Sequence, residues 1–177
     1  MNNQIGIVGN GFVGGAVAYG FKDLNPLLYD ISPEKSLNTL EEVMDCKYVF
    51  ICLPTPMYNA EGARANISII QKFISNVEFN KDQVLILKST VPVGTTKQLA
   101  EQYAVPNLVH CPEFLTAANA NQDFVNADRT IIGGPEGQPC YTKMVADLFR
   151  ENFYDIPVYE MTSDESELVK YTSNCFL

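Results

Sequence analysis

Short apolar runs recur along the chain, and each is followed by turn residues and then by a stretch that could form a helix. The runs are continuously apolar rather than alternating, which is typical of strands in a parallel sheet that helices cover on both faces. They predict strands at residues 5–8, 27–29, 48–53, 84–87, 108–111 and 130–132.

The stretches between these runs predict helices at residues 13–21, 37–44, 67–77, 96–103 and 141–152. This alternation predicts an α/β fold of the Rossmann type, a doubly wound and mainly parallel sheet with helices on both faces. A chain of 177 residues, of which 46% are hydrophobic, can fill one such core.

Charge and cysteine content exclude several classes of function. A net charge of -9 argues against nucleic acid or an anionic membrane surface as a partner, because both need clustered lysine and arginine. Five cysteines without a C-x-x-C pair, and the single histidine His110, argue against a metal site. Residues 1–4 lack the features of a signal peptide, and no apolar run is long enough to span a membrane. We therefore expect a cytoplasmic protein without membrane contact.

The last residues predict a helix that begins at Ser163, with acidic residues in its first turn. No residue that would end this helix follows before Leu177. We therefore expect residues 1–162 to form one domain and residues 163–177 to begin a connecting helix to a further, C-terminal domain. A short helix that docks its last turn on the first domain is the alternative.

The residues after the first predicted strand match the pattern G-x-G-x-x-G, in the order Gly9, Asn10, Gly11, Phe12, Val13, Gly14. The pattern follows an apolar strand and opens a helix, and this context predicts a dinucleotide-binding loop. Gly9 permits the tight turn, Gly11 lets the backbone approach a pyrophosphate, and Gly14 allows close packing of helix and strand. The helix N-terminus supplies N–H donors to the phosphates.

Asp30, at the end of the second predicted strand, predicts which dinucleotide is bound. Its carboxylate should accept hydrogen bonds from the adenosine ribose and would repel a 2′-phosphate. No arginine follows in the next turn, so we expect NAD rather than NADP. A role as a helix cap or turn residue is the alternative for Asp30.

Three further strands are followed by unusual residues at the edge of the sheet where ligands bind. These segments are Pro54-Thr55-Pro56, Lys88-Ser89-Thr90-Val91-Pro92-Val93-Gly94 and Pro112-Glu113-Phe114-Leu115. Three such segments at one edge predict a site beside the glycine loop. Thr95 or Thr96 is instead expected to cap the next helix.

In this order the segments resemble the N-terminal NAD-binding domain of the UDP-glucose/GDP-mannose dehydrogenase family, and the resemblance extends from residue 4 to residue 177. The runs S-T-V-P-V-G and P-E-F-L are its most specific parts. It also includes Lys35, Glu61-Gly62, Asn66-Ile67-Ser68, Asp123-Phe124, Asp128-Arg129, Gly133, Glu167, Lys170 and Asn174.

The resemblance implies that NAD is the cofactor and that Lys35, Pro54, Thr55 and Thr90 contact it, besides the glycine loop and Asp30. It implies a nucleotide sugar as substrate, with UDP-glucose as the first candidate. Members of the family oxidise the C6 alcohol of the sugar to a carboxylate with two NAD, through a cysteine thiohemiacetal and thioester.

Four side chains acquire catalytic roles from the resemblance. Thr90 corresponds to a threonine that orients water and the sugar near the nicotinamide, and Glu113 to a general acid/base in thioester hydrolysis. Lys170 and Asn174 correspond to a pair that stabilises the developing oxyanion. Their i, i+4 spacing places both on one helix face. The alternative for Lys170 is a solvated lysine paired with Glu167.

Two departures from the family pattern matter. Ala117 occupies the position of a second glutamate, which puts the substrate contacts or water handling of that residue in doubt. The nucleophilic cysteine and its partner aspartate belong to the family's later domain, and Cys175 faces away from Asn174 and is no substitute. We therefore expect the chain to bind NAD without turning over a nucleotide sugar. We expect the full-length protein to form a homodimer or a larger oligomer.

Two other interpretations remain open. A dehydrogenase of the 6-phosphogluconate or 3-hydroxy-acid type shares the glycine loop and a helix that carries lysine and asparagine. A stand-alone NAD-binding or regulatory module would bind the cofactor without turnover. The segments around Thr55 and Glu113 favour the nucleotide-sugar dehydrogenase over the other type of enzyme.

Overall fold

The computed structural model describes residues 4–57, 65–137 and 139–176, and the side chains of Pro139 and Phe176 are not described. Within these residues, seven strands form one sheet in the order β2-β1-β3-β4-β5-β6-β7. The strands are β1 Ile5–Val8, β2 Leu27–Tyr29, β3 Tyr48–Ile51, β4 Val84–Leu87, β5 Leu108–His110, β6 Thr130–Gly134 and β7 Val158–Thr162.

The first five strands are parallel to one another. β6 runs antiparallel to β5, with His110 opposite Gly133, and β7 runs parallel to β6. The predicted mainly parallel α/β sheet is confirmed. β7 is missing from the sequence prediction because it lies at the sheet edge, where exposed residues such as Glu160 interrupt the apolar run on which the prediction depended.

The described part of the chain contains seven α-helices and a 3-10 turn at Lys22–Leu24. The last helix follows β7, and the others lie between strands. The helices are α1 Phe12–Gly20, α2 Leu40–Met44, α3 Ser68–Asn76, α4 Thr95–Gln102, α5 Ala120–Val125, α6 Pro139–Asn152 and α7 Ser163–Phe176. α5 was not predicted because a helix of six residues is too short to show periodicity. α2 begins later than predicted because Thr39 and Glu42 form a capping box.

Helices cover both faces of the sheet, as the sequence predicts. One face packs against α1, α5 and α6, and its core contains a cluster of aromatic rings whose centroids lie 5.2–6.4 Å apart, formed by Phe21, Phe50, Phe124, Phe149 and Phe153. The other face packs against α2, α3 and α4 through residues such as Val43, Ile70 and Leu99. None of the described helices is long and apolar enough to cross a membrane.

Helix α7 packs on the domain through polar side chains. The four residues Ser163, Ser166, Glu167 and Lys170 recur at helical spacing and are all buried, whereas Leu168 is 55% exposed. The N-cap of α7 is Thr162, one residue before the first helical residue, Ser163. The Thr162 Oγ1 accepts from the Glu165 N–H, and the Glu165 carboxylate accepts from the Thr162 N–H at 2.8 Å. The spacing of a capping box therefore sets the start of the helix.

Candidate functional site

The site lies at the carboxyl ends of the parallel strands. β2 lies on one side of β1 and β3 on the other, so the chain reverses its direction of winding at β1. Ligands of open α/β sheets bind outside the carboxyl ends of the strands at such a switch point. Residues 9–14 begin there, at the end of β1.

Each of the three glycines of this loop is required for a different structural reason. Gly9 has a φ of +96°, and a Cβ there would lie 2.5 Å from the Cys52 carbonyl oxygen. A Cβ on Gly14 would overlap the carbonyl oxygen of Gly9. A Cβ on Gly11 would have no heavy atom of another described part of the chain within 4 Å, so a side chain would fill the open space in front of the loop.

The N-terminus of α1 is suited to an anion. No described side chain caps it, because its N-cap is Gly11. Its first N–H groups therefore remain available, and the helix dipole favours negative charge there. Phe12 is exposed and Val13 half-buried at the start of this helix. The loop and the helix start together fit a pyrophosphate.

Asp30 lies beside the glycine loop, at the end of β2. Its Oδ2 accepts a hydrogen bond from the Asn10 N–H at 2.7 Å, and its Oδ1 accepts one from the Ser32 N–H at 2.9 Å. Partial burial opposes ionisation, but the N–H groups of Ser32 and Asn10 outweigh it, so the pKa of Asp30 is lowered. The carboxylate is therefore charged at neutral pH and retains free lone pairs for ligand hydroxyls.

Neighbours of Asp30 complete this end of the site. The Asn10 side-chain amide donates to the Lys35 carbonyl oxygen at 2.8 Å, while the Lys35 ammonium group lies exposed on the surface. Ile31 is 88% exposed and Leu37 is 74% exposed, and they offer an apolar surface. The sequence analysis did not identify these two residues, although an apolar residue directly after the acidic strand end is a signal that could have done so.

Two hydroxyl groups join the loops that follow β3 and β4. The Thr55 Oγ1 donates to the Thr90 carbonyl oxygen at 2.8 Å, and the Ser89 Oγ donates to the Leu53 carbonyl oxygen at 2.6 Å. Thr55 and Thr90 are half-buried, and Pro54 is exposed next to them. The structure thus brings Thr55 and Thr90 together at the same sheet edge as the glycine loop.

Glu113 and Lys170 form an ion pair at this edge. The Lys170 Nζ lies 3.1 Å from the Glu113 Oε1 and also donates to the Glu113 carbonyl oxygen. The two side chains are only 6% and 12% exposed. The Glu113 Oε2 accepts from the Leu115 N–H at 2.6 Å, and the Phe114 ring centroid lies 5.3 Å from the Lys170 Nζ.

The alternative partner of Lys170, Glu167, points elsewhere. Its carboxylate accepts hydrogen bonds from the Gly94 N–H at 2.6 Å, the Thr96 N–H at 2.8 Å and the Thr96 Oγ1 at 2.6 Å. The expectation that Thr95 or Thr96 caps α4 is therefore wrong, because the N-cap is Gly94 and the capping carboxylate comes from α7. Burial raises the pKa of Glu167, although these hydrogen bonds oppose the rise.

Asn174 and Ala117 lie at the periphery of this arrangement. Asn174 is exposed one turn beyond Lys170, and the described hydrogen bonds of Glu113 and Thr90 do not include its side chain. Cys175 is exposed next to it. Ala117 is exposed in the loop before α5, where the Thr116 N–H and Oγ1 both donate to the Asp123 carboxylate at 2.7 Å.

Two buried basic residues, Lys88 and His110, were not assigned a role in the site by the sequence analysis. The Lys88 Nζ lies 3.3 Å from the Pro112 carbonyl oxygen, at one wall of a cavity of 240 Å³ that Glu113, Phe114 and Arg129 also line. The His110 Nδ1 contacts the Ser166 Oγ of α7. Burial lowers the pKa of His110 to about 3, and the positive charge of Lys88 adds to this effect.

Comparisons with known proteins agree with this geometry. Residues 22–153, well over half of the chain, match the NAD binding domain of the UDP-glucose/GDP-mannose dehydrogenase family. The chain is 33% identical over 145 residues to UDP-glucose 6-dehydrogenase of Campylobacter jejuni, a match that covers 79% of this chain and 35% of that protein. It is 33% identical over 139 residues to UDP-glucose 6-dehydrogenase YwqF of Bacillus subtilis, covering 73% and 30%.

Solved structures share the fold. GDP-mannose dehydrogenase from Pseudomonas aeruginosa superposes with a TM-score of 0.80 at 22% identity, covering 98% of this chain and 49% of that one. UDP-glucose dehydrogenase from Pyrobaculum islandicum superposes with a TM-score of 0.82 at 24% identity, and the match covers 97% of this chain and 49% of that one. The chain thus spans no more than about half the length of these relatives. With a glycine loop that fits a pyrophosphate and an acidic residue that fits a ribose, the chain belongs to the UDP-glucose/GDP-mannose dehydrogenase family and forms its NAD-binding domain.

Proposed function

We propose that this chain is the cofactor half of a nucleotide-sugar 6-dehydrogenase, with UDP-glucose as the first candidate substrate. The observation that carries the proposal is the buried Lys170–Glu113 pair at the same sheet edge as the NAD-binding loop. A cation and a carboxylate that share a nearly dry site are suited to an alcohol that loses both a proton and a hydride.

The residues suggest how the dinucleotide lies. The pyrophosphate would contact Gly11 and the first N–H groups of α1, and the adenosine ribose would contact Asp30. The adenine would pack on the exposed apolar surface of Ile31, with Lys35 at its rim. The other end would then extend across the switch point to Pro54, Thr55 and Thr90. When bound, NAD accepts the hydride.

The chain's own residues would handle the proton and the developing negative charge. Lys170 is held by Glu113 and lies against the Phe114 ring, which excludes water and strengthens its interaction with an oxyanion. Glu113 would exchange a proton with a water or a substrate hydroxyl. Thr90 would orient the sugar and water, and Asn174 would add an amide donor one turn beyond Lys170.

The remainder of the reaction would need groups from outside this chain. We propose that residues 163–176 lead to a second domain that supplies the nucleophilic cysteine and the pocket for the nucleotide base. The full-length protein would be a cytoplasmic homodimer or larger oligomer that provides sugar acids for polysaccharide biosynthesis. All five cysteines are free, which fits a reducing compartment.

Saturation-transfer NMR on the 177-residue chain with saturating NADH tests the proposal. The ligands are UDP-glucose, GDP-mannose, 6-phosphogluconate and 3-hydroxyisobutyrate. We expect saturation of the hexose protons of a nucleotide sugar, including those at C6, and much weaker saturation of the base protons. Lys170→Met should abolish the signal, and Lys143→Met, at an exposed lysine of α6, should leave it unchanged.

Two results would contradict the proposal. Saturation only of 6-phosphogluconate or 3-hydroxyisobutyrate would identify the other type of dehydrogenase. Absence of transfer to all four ligands, with NADH bound, would favour a stand-alone NAD-binding module.

A further inference from the structure

Glu167 is a buried carboxylate that acts outside its own helix. It is 0% exposed and lies three residues before Lys170 on α7. Its two oxygens accept three hydrogen bonds, all from Gly94 and Thr96 at the start of α4. Gly94 has a φ of +87° and no side chain that could cap this helix, so the cap comes from α7.

The loop that ends at Gly94 carries Thr90. At its beginning the loop is held to the segment after β3, because Ser89 donates to Leu53 and the Thr90 carbonyl oxygen accepts from Thr55. Val91 is buried in the core between these points. At its end the described side-chain hydrogen bond to the loop is the one that Glu167 accepts from the Gly94 N–H.

We infer that Glu167 is a positioning residue for the nicotinamide end of the cofactor site, because it fixes the Thr90 loop relative to Lys170. Lys170 lies three positions after Glu167, so one turn of α7 binds the Thr90 loop and the Glu113 loop together. A shift of either loop would change the distance between Thr90 and the Lys170–Glu113 pair. The inference rests on the proposed function, in which Thr90 lies at the nicotinamide end.

The chemistry of the contact explains why glutamine should not replace Glu167. Two of the donors are backbone N–H groups, and a carboxylate accepts from both with charge-assisted hydrogen bonds. A glutamine amide can accept only through its oxygen, and its NH2 group would face one of these N–H donors. The end of the Thr90 loop, which follows β4, would therefore move. The glycine loop after β1 and Asp30 after β2 would stay in place, because β3 lies between them and β4.

Comparison of NADH with ADP-ribose, which lacks the nicotinamide, tests the inference by calorimetry on the 177-residue chain. In Glu167→Gln we expect the Kd for NADH to rise on the order of tenfold, as for loss of a charge-assisted hydrogen bond, and the Kd for ADP-ribose to change less than about twofold. A smaller but equally selective loss is expected in Thr96→Ala, which keeps the carboxylate and two of its three hydrogen bonds. Glu165→Gln, at an exposed glutamate of the same helix that caps α7 itself, should leave both affinities unchanged.

The outcomes separate the two claims. If the wild-type chain binds NADH no more tightly than ADP-ribose, the placement of Thr90 at the nicotinamide fails, and the role of Glu167 fails with it. If the wild type shows the difference but Glu167→Gln and Thr96→Ala weaken both ligands equally, Glu167 has only a structural role. Unchanged NADH binding in both folded variants would also overturn the inference, and Thr96→Ala alone decides it if Glu167→Gln does not fold.

Discussion

The ammonium group of Lys170 on α7 lies 3.1 Å from the carboxylate of Glu113, which follows β5 and is 57 residues away in the chain. Both side chains are nearly buried, so the charge of each compensates that of the other where solvent access is low. This contact joins the last helix to the edge of the sheet where the glycine loop lies.

Removal of one partner of this pair should destabilise the domain strongly. Lys170→Met leaves the Glu113 carboxylate buried without its cation, and we expect it to lower the free energy of unfolding by about 3 kcal/mol. The double variant Lys170→Met/Glu113→Gln should recover part of this loss. Urea unfolding measures both, with Lys143→Met as the control, because the exposed Lys143–Asp147 pair contributes at most about 0.5 kcal/mol. Equal losses of unfolding free energy in Lys170→Met and Lys143→Met would contradict the stabilising role of the buried pair.

His110 should remain neutral throughout the physiological pH range. Burial lowers its pKa from 6.5 to about 3, so the folded state binds fewer protons than the unfolded state between these values. Its contribution to stability is complete above pH 6.5 and is lost as the pH falls toward 3, by about 1.4 kcal/mol per pH unit.

Because His110 is the single histidine, NMR of its ring reports on this group alone. We expect a constant ring chemical shift from pH 8 to pH 5, and a steeper loss of stability over pH 6.5 to 5 in the wild type than in His110→Gln. A titration midpoint near the ordinary value would show that the ring is accessible to water.

Two glycine variants should separate cofactor binding from folding. Gly14→Ala places a Cβ against the Gly9 carbonyl oxygen, and we expect it to lower the free energy of unfolding by about 2 kcal/mol or more. The Cβ of Gly11→Ala has no atom from elsewhere in the described residues within 4 Å, so we expect the free energy of unfolding to change by less than about 0.5 kcal/mol, while the methyl group obstructs the pyrophosphate. Urea unfolding and NADH fluorescence measure the two effects. Normal NADH binding by the Gly11→Ala variant would show that the pyrophosphate does not bind at this loop.

The chain by itself should not convert a nucleotide sugar to its acid. The second oxidation needs a thiolate to hold the aldehyde as a covalent adduct. Burial raises the pKa of Cys52 to about 12 and that of Cys46 to about 11, which keeps both protonated, and it also raises the pKa of Cys111. With NAD and UDP-glucose or GDP-mannose, we expect no sustained increase in NADH absorbance. Steady production that Lys170→Met abolishes would contradict this expectation.

The parts of the fold that depend on neighbouring residues were predictable from the sequence. The glycine loop, Asp30 and the five parallel strands follow from short patterns. The positive φ of Gly9 and the contact of Gly14 with the Gly9 carbonyl oxygen both belong to one strand–turn–helix unit. β7 and α5 were not predicted, since their place in the fold depends on the sheet edge and on α1 rather than on a pattern of their own.

Long-range polar contacts were the part that the sequence could not give. Glu167 caps α4 by accepting from the Thr96 N–H, which lies 71 positions earlier in the chain, and no local spacing predicts that pairing. The contact of His110 with Ser166 was likewise not predictable from local spacing. Lys170 and Glu113 were identified as site residues only through the resemblance to the family, and their contact with each other was not predicted. In α7, Glu167 is buried and Leu168 is exposed, and this reversal of the usual pattern is seen only once the packing of the helix is known.

The most direct test of the account is a calorimetric titration of the 177-residue chain with NAD and with NADP. Because Asp30 is charged and held beside the glycine loop by Asn10, we expect clear binding of NAD and at least about tenfold weaker binding of NADP. Asp30→Ala should narrow that difference by about 1–3 kcal/mol through loss of charge-assisted hydrogen bonds to the ribose. Equal affinity of the wild-type chain for NAD and NADP would contradict the placement of the adenosine ribose at Asp30.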